Sequence, residues 1–162
     1  MLAGQKIPNT DGLIFCADTS CVRSYQAGSS SMYDIVSGGS ATVNNSPAYT
    51  YDNRGIISFD GTNESILFSD QDIYSFSDGV NKIAKTINFW FRTNNSSQTI
   101  QSIIAKDNYS GQREWHIGIY AAKQLRFFLK GSISGGSQFG RVATNKIESN
   151  TWYNVACTFD GV

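Results

Sequence analysis

Proline occurs only twice, at Pro8 and Pro47, histidine only once, at His116, and no apolar run exceeds a few residues. The short runs exclude a helical membrane span, which needs about 20 apolar residues. The opening residues, MLAGQKIPNTDG, have neither the apolar centre nor the small-residue cleavage pattern of a secretion signal. Charge is scarce: Asp, Glu, Lys and Arg make up 16% and cancel to zero, so Ser, Asn, Thr and Gly must supply most of the solubility. With no basic run to meet phosphate, neither nucleic acid nor a membrane is an expected partner. Three cysteines, Cys16, Cys21 and Cys157, are an odd number without metal-site spacing. Cys16 lies in an apolar run and reads as a small buried hydrophobe, with a Cys16–Cys21 bridge as the alternative. One histidine and scattered cysteines do not make a four-ligand zinc site, and no Gly-rich phosphate motif is present.

Helical periodicity is also missing: no segment of helical length places apolar residues at i, i+3, i+4 and i+7. What the chain does have is aromatic residues, 13% of its 162 positions, and period-two alternation. Residues 1–11 read as a polar arm and 12–162 as one β domain, long enough for a core of its own. Strands are expected at Leu13–Asp18, Ala41–Val43, Ala48–Tyr51, Gly55–Asp60, Ser65–Phe68, Ala84–Thr93, Thr99–Lys106, Arg113–Tyr120 and Gln124–Lys130. Gly61-Thr62-Asn63 reads as a hairpin turn between the fourth and fifth. Ser24–Gly39 and Gly131–Gly140 read as Gly/Ser loops, Asp70–Gly79 as a stretch with one helical turn, and Arg141–Ile147 as short and mixed. The last stretch, NTWYNVACTFDG, alternates again. Tyr153, Val155, Cys157 and Phe159 share one face, and Trp152 and Ala156 the other. Apolar on both faces, it is expected mid-sheet, covered on both sides. Strands every ten to fifteen residues, without long helices between them, give an all-β, antiparallel β-sandwich.

Several stretches then resemble a known family. SFDGTNESI at Ser58–Ile66, KTINFWF at Lys85–Phe91 and WYNVACTFDG at Trp152–Gly161 resemble, in order and spacing, three signatures of laminin G-like domains of the concanavalin A-like lectin/glucanase superfamily. The lead-in is Gly12–Asp18, then Arg23-Ser24-Tyr25, then Tyr33-Asp34 and a Gly-rich turn. It is similar to the one on such domains in tailed-phage virion proteins, with Tyr33 where Trp is usual. The resemblance implies a jelly-roll sandwich. It also implies a final hairpin and strand after Asp160-Gly161 that this sequence does not carry. A sandwich lacking its C-terminal strands is expected either to be a short chain completed by a neighbour, hence oligomeric or assembled, or to be a fragment of a longer protein. The function implied is a non-enzymatic virion protein: a head decoration, fibre or tail-associated module docking on capsid, tail or fibre subunits. It would be made in the host cytoplasm and located in the virion. The alternative is a carbohydrate-binding, lectin-like module for host-surface attachment.

Glucanases of this superfamily place their carboxylates as E-x-D-x-x-E on one strand, so that acid and nucleophile flank the scissile bond. Glu64, Glu114 and Glu148 do not have that spacing, and no catalytic residue is expected. A Ser–His or Cys–His pair would need His116, which reads as a partly exposed strand residue without an orienting partner. Some relatives bind Ca2+ at the sandwich rim, where Asp60, Asn63 and Asp107 are the available oxygens. Turns use Asp and Asn for their own backbone bonds, so no cofactor is expected and Ca2+ is the alternative. For a glycan ligand the best loop is Asn108, Tyr109 and Arg113, with Tyr25 and Tyr33 as outsiders. Trp90, Trp115 and Trp152 are expected in the core.

Overall fold

The computed structural model describes residues 11–94, 100–108, 112–120, 122–130 and 139–162, with the backbone alone described at 108, 112, 113 and 139. The fold is all-β. Every paired strand is antiparallel, and no α-helix occurs among the described residues. The chain divides into two compact units, Met1–Asp70 and Gln71–Val162.

In the first unit, β1 (Ser31–Tyr33), β2 (Ser40–Asn44) and β5 (Ser65–Phe68) form one sheet in the order β1-β2-β5. β3 (Ala48–Thr50) and β4 (Ile56–Ser58) pair separately. Gly61-Thr62-Asn63 therefore does not close a hairpin. The strand before it pairs with β3 and the strand after it with β2, so the turn carries the chain from one sheet to another. Tyr25, Met32, Ala41 and Val43 are buried together, with Tyr49, Ile57, Ile66 and Phe68 packed on them. Met32 plugs this core from within a stretch expected to be loop, where β1 in fact runs.

Leu13–Asp18 belongs to no ladder. Its backbone is held instead by side chains and a loop. The Cys16 amide donates to Asp34 Oδ1 (2.8 Å), the Asp18 amide to Ser24 Oγ (3.0 Å), and Cys16 O accepts from the Ile35 amide (2.9 Å). Ser24 and Asp34 are fully buried polar residues. Ser24 Oγ also donates to Tyr33 O (2.6 Å), and the second Asp34 oxygen accepts the Ser37 amide (3.2 Å) and hydroxyl (2.5 Å). The Ser-Tyr and Asp-x-x-Ser-Gly pieces of the lead-in are thus a hydrogen-bonded knot that fixes irregular backbone. Burial alone would raise the Asp34 pKa, but the donors from Ser37, Cys16 and Val36 outweigh it and hold the carboxyl below its ordinary value. All three cysteines are free thiols, Cys16 and Cys21 half-buried and Cys157 buried, so the Cys16–Cys21 bridge is not formed.

The second unit is a sandwich of two sheets. β6 (Lys85–Phe91) and β11 (Tyr153–Phe159) pair without a bulge from Tyr153↔Phe91 to Phe159↔Lys85. β7 (Gln101–Asn108), β8 (Gln112–Tyr120), β9 (Gln124–Leu129) and β10 (Phe139–Lys146) form the other sheet, in the order β10-β9-β8-β7. β10 shows that a strand occupies most of what read as short and mixed, with its register against β9 shifting between Val142 and Lys146. The core lies between the sheets. Phe91, Cys157 and Phe159 come from one, and Trp115, Ile117, Ile119, Leu125 and Leu129 from the other. Each such side chain, taken fully from water, contributes about 1.5–3 kcal/mol. A register shift in β7 between Ser102 and Ile104 lets Ile103 and Ile104 both pack on the core, as a bulge permits.

Phe76 closes the core. It packs edge-on or tilted against Trp115, Phe127 and Phe159 at ring-centroid distances of 6.1, 5.7 and 5.9 Å. It follows a 3-10 turn, Asp72–Tyr74, whose carbonyls are all used. Lys85 Nζ donates to Ile73 O and Ser75 O, and Trp115 Nε1 donates to Tyr74 O (3.0 Å). Lys106 Nζ bonds Ser75 Oγ (2.6 Å) and Glu114 (2.7 Å) beside them.

Candidate functional site

The last strand departs from its expected placement. β11 pairs only with β6 among the described residues. Its Tyr153–Phe159 face turns to the core, while Asn154, Ala156 and Thr158 are exposed. On β6 the alternation is the same: Ile87, Phe89 and Phe91 inward, Thr86, Asn88 and Trp90 outward. Trp90 is 67% exposed and Trp152, just before β11, 37%. Of the three tryptophans expected in the core, only Trp115 is there. The signal was present in the sequence: two positions either side of Trp90 stand Asn88 and Arg92, and two after Trp152 stands Asn154. An aromatic in a polar row belongs to the solvent face.

This outer face is a regular polar ladder with an aromatic end. Thr86 and Thr158 sit opposite each other with hydroxyls 3.0 Å apart. Asn88 Nδ2 donates to Asn154 Oδ1 (3.3 Å) and Val155 O (3.1 Å). Asn154 Nδ2 donates back to Asn88 Oδ1 and to Phe89 O, both at 3.4 Å. Trp90 lies directly across from Asn154, and Trp152, two residues before Asn154 and just outside the ladder, is its diagonal neighbour in sequence. The Arg92 guanidinium lies 5.4 Å from the centre of the Trp152 ring, which orients that ring. No carboxylate stands on this face of β6 or β11. It offers two indole surfaces, one cation and a fixed row of amides and hydroxyls.

The outer face of the four-stranded sheet is different in kind. His116, Gly118 and Tyr120 of β8 alternate with core residues, as do Arg126 and Phe128 of β9. In register, His116 stands beside Phe128 and Gly118 beside Arg126. His116 has the partners its sequence did not reveal. Nε2 is 2.9 Å from Ser102 Oγ, and Nδ1 is 3.2 Å from the Tyr120 hydroxyl. Gly118 and Gly140 leave room for rings. A Cβ at Gly118 would come within 2.7 Å of the imidazole and one at Gly140 within 2.4 Å of the Phe128 ring.

The loop expected to hold a glycan is split by the described boundaries. Asn108 ends β7, Arg113 belongs to β8, and Asp107 pairs with Arg113 in register. Tyr109 lies outside the described residues. Tyr25 is buried in the first unit's core and Tyr33 is exposed. Of the calcium candidates, Asp60 accepts the Thr62 amide (2.7 Å) in a turn of its own, and Asn63 O accepts from Asn45 (2.6 Å). Asp107 is exposed on β7. No three His, Cys, Asp or Glu residues converge as a metal site among the described residues. The three glutamates are engaged separately or exposed. Glu64 accepts the Asp60 amide (2.5 Å), Glu114 pairs with Lys106, and Glu148 is on the surface.

A laminin G-like family described as the concanavalin A-like lectin/glucanases superfamily matches residues 60–162, well over half the chain. The chain belongs to that family. No curated protein and no solved structure gives a significant match.

Proposed function

We propose that this protein is a non-catalytic adhesion module that holds a glycan on the Trp90–Trp152 face. The observation that carries the reading is two exposed indoles at one end of a carboxylate-free ladder of Asn and Thr. The apolar faces of sugar rings stack on indoles, while amides and hydroxyls already locked in place bond sugar hydroxyls at little entropic cost. Family membership supports a carbohydrate ligand, and the placement of the three glutamates, Glu64 and Glu114 engaged apart and Glu148 exposed, supports binding without hydrolysis. The test is a glycan array followed by titration of the hits. Trp90→Ala and Trp152→Ala are each expected to weaken binding at least tenfold while the melting temperature holds. An array without hits, or hits indifferent to both substitutions, overturns the reading.

A second reading uses the same face: docking on capsid, tail or fibre subunits of a virion. It draws on the resemblance of the lead-in and on exposed tryptophan as an anchor of protein interfaces. Cross-linking of assembled particles with mass spectrometry separates the two. Cross-links from the exposed lysines of this protein to another virion subunit support docking, and their absence from particles that contain the protein counts against it.

A further inference from the structure

We propose that the edge of β11 turned away from β6 pairs with the same edge of a second copy of this chain, giving a two-fold dimer with a continuous β6-β11-β11-β6 sheet. Sheet edges present unpaired backbone groups, and proteins blunt them with short strands, bulges or charges. The other edges of this fold are blunted in these ways. In the first unit β1, β3, β4 and β5 are only three or four residues long. In the four-stranded sheet β10 shifts register between Val142 and Lys146 and carries Arg141 and Lys146, both exposed. β7 shifts between Ser102 and Ile104 and again between Lys106 and Asp107, and so sets a charged pair of residues at its second irregularity. β6 opens on a charge, Lys85. β11 has none of these guards. It runs for seven residues in step with β6, pairs with no other strand among the described residues, and holds neither a charged residue nor a proline.

The strand that fits this edge is β11 itself. When two copies pair antiparallel about Ala156, the middle residue, all seven residues take part. Val155 then meets Cys157, Asn154 meets Thr158, and Ala156 meets its own copy. Inner residues stay opposite inner ones, which a slip by one residue would not allow. The apolar row of Val155 and Cys157 runs on across the join. Asn154 and Thr158, which already meet Asn88 and Thr86 on β6, face each other on the outside. No like charges meet, and the small methyl of Ala156 lets the backbones close up at the axis. Ala156 is exposed and stands opposite Asn88 in its own sheet, so the axis position is open. The strand is thus complementary to itself, which is what a two-fold interface requires, and two-fold dimers are the commonest closed assembly. The join uses the edge and leaves the tryptophans facing outward, so it stands whatever they bind.

The test is the mass of the 162-residue chain in solution, without glycan, by sedimentation equilibrium. The wild type is expected at twice its chain mass of 17.8 kDa, dissociating on dilution. Ala156→Lys sets two ammonium groups against each other at the axis and is expected to weaken association by at least about tenfold. Val142→Lys, on the edge of the other sheet, is expected to leave it unchanged. In the wild type, amide exchange is expected to slow with rising concentration in β11 and not in β10, a readout that needs no variant to fold. Ala156→Cys reads the register. A residue on the axis lies about 4.5–5.5 Å from its own copy between Cα atoms, within disulfide reach. Mild oxidation is therefore expected to link two chains through position 156, and Val142→Cys is expected not to link. A wild type that stays monomeric at every concentration, an Ala156→Lys variant that associates like the wild type, a Val142→Lys variant that does not associate, or an Ala156→Cys variant that links no better than Val142→Cys overturns the proposal.

Discussion

Asp34→Asn changes one oxygen to an amide nitrogen in the fully buried knot of the first unit and leaves its shape alone. Oδ1 receives the Cys16 and Val36 amides at 2.8 and 3.0 Å, and Oδ2 receives the amide and hydroxyl of Ser37. An asparagine can keep the first pair. Its NH2 group then faces two donors where an acceptor stood. Ser37 is exposed and turns to water, so the expected loss is about 1–3 kcal/mol, the cost of unpaired polar groups. Asp34→Ala removes the acceptor from the half-buried Cys16 and Val36 amides as well. At about 1.5–3 kcal/mol for each bond to a charged group, that is about 3–6 kcal/mol, a large part of the 5–15 typical of a folded domain. Because the folded carboxyl titrates below its unfolded value of about 3.9, its contribution is complete above that pH and is lost as the pH falls through the lower folded value. Thermal melting followed by circular dichroism from pH 7 to 3, with amide exchange at Cys16 and Val36, reads both effects. The wild type and Asp34→Asn should differ at pH 7 and converge toward pH 3. The exposed Asp78, held at about 2 by the Asn81 amide and side chain, titrates alike in both and cancels. Equal melting at pH 7, or a gap that does not narrow in acid, refutes the reasoning.

Trp115→Phe should cost about 1–2 kcal/mol by freeing the Tyr74 carbonyl, and Trp115→Ala about 3–5 kcal/mol, whereas Trp90→Ala stays within about 0.5 kcal/mol; urea denaturation of the three ranks them. Gly118→Ala drives a methyl to 2.5 Å from the Gln101 carbonyl on the neighbouring strand, so a loss of about 1–3 kcal/mol is expected in the same assay. Lys85→Met leaves the Ile73 and Ser75 carbonyls without their donor and should lower stability by about 1–3 kcal/mol, with faster amide exchange in the Phe76 segment. Alkylation without reductant should label all three cysteines once the chain is unfolded. In the folded protein Cys157 should react slowest, because burial both raises its thiol pKa and blocks access.

The inner rows of the second unit were legible because burial leaves a period of two. Ile87, Phe89 and Phe91, then Trp115, Ile117 and Ile119, then Leu125, Phe127 and Leu129 all face the core as their alternation requires. Pairing was less legible. Gly61-Thr62-Asn63 has turn chemistry, but a turn residue dictates only that the chain bends, and β5 left for β2 while β4 kept β3. Leu13–Asp18 has strand composition, yet its backbone groups found side-chain partners before they found a ladder, a choice that lies in residues far along the chain such as Asp34.

The misplaced tryptophans show where such reading stops and why function begins there. Alternation sorts side chains into two rows but does not say which row has a lid. A row is assigned inward by how apolar it is, and Trp152 with Ala156 made the outer row of β11 look apolar. The register corrects this by supplying cross-strand neighbours: Trp90 faces Asn154, Asn88 faces Ala156, and Thr86 faces Thr158. Judged as a sheet face instead of as a strand, the row is polar with two aromatics at one end. Asn88 and Asn154, bonded at 3.3–3.4 Å and exposed, mark the row as solvent-facing, and Trp90 and Trp152 at its end, 67% and 37% exposed, set two indoles together on it. The same logic applies across the sandwich. Arg126 stands in the outward row of β9, yet its Nε is enclosed and its guanidinium lies over the Tyr120 ring. The two tryptophans that departed from the sequence pattern are those that the core does not explain, and they are the ones on which binding is expected to depend.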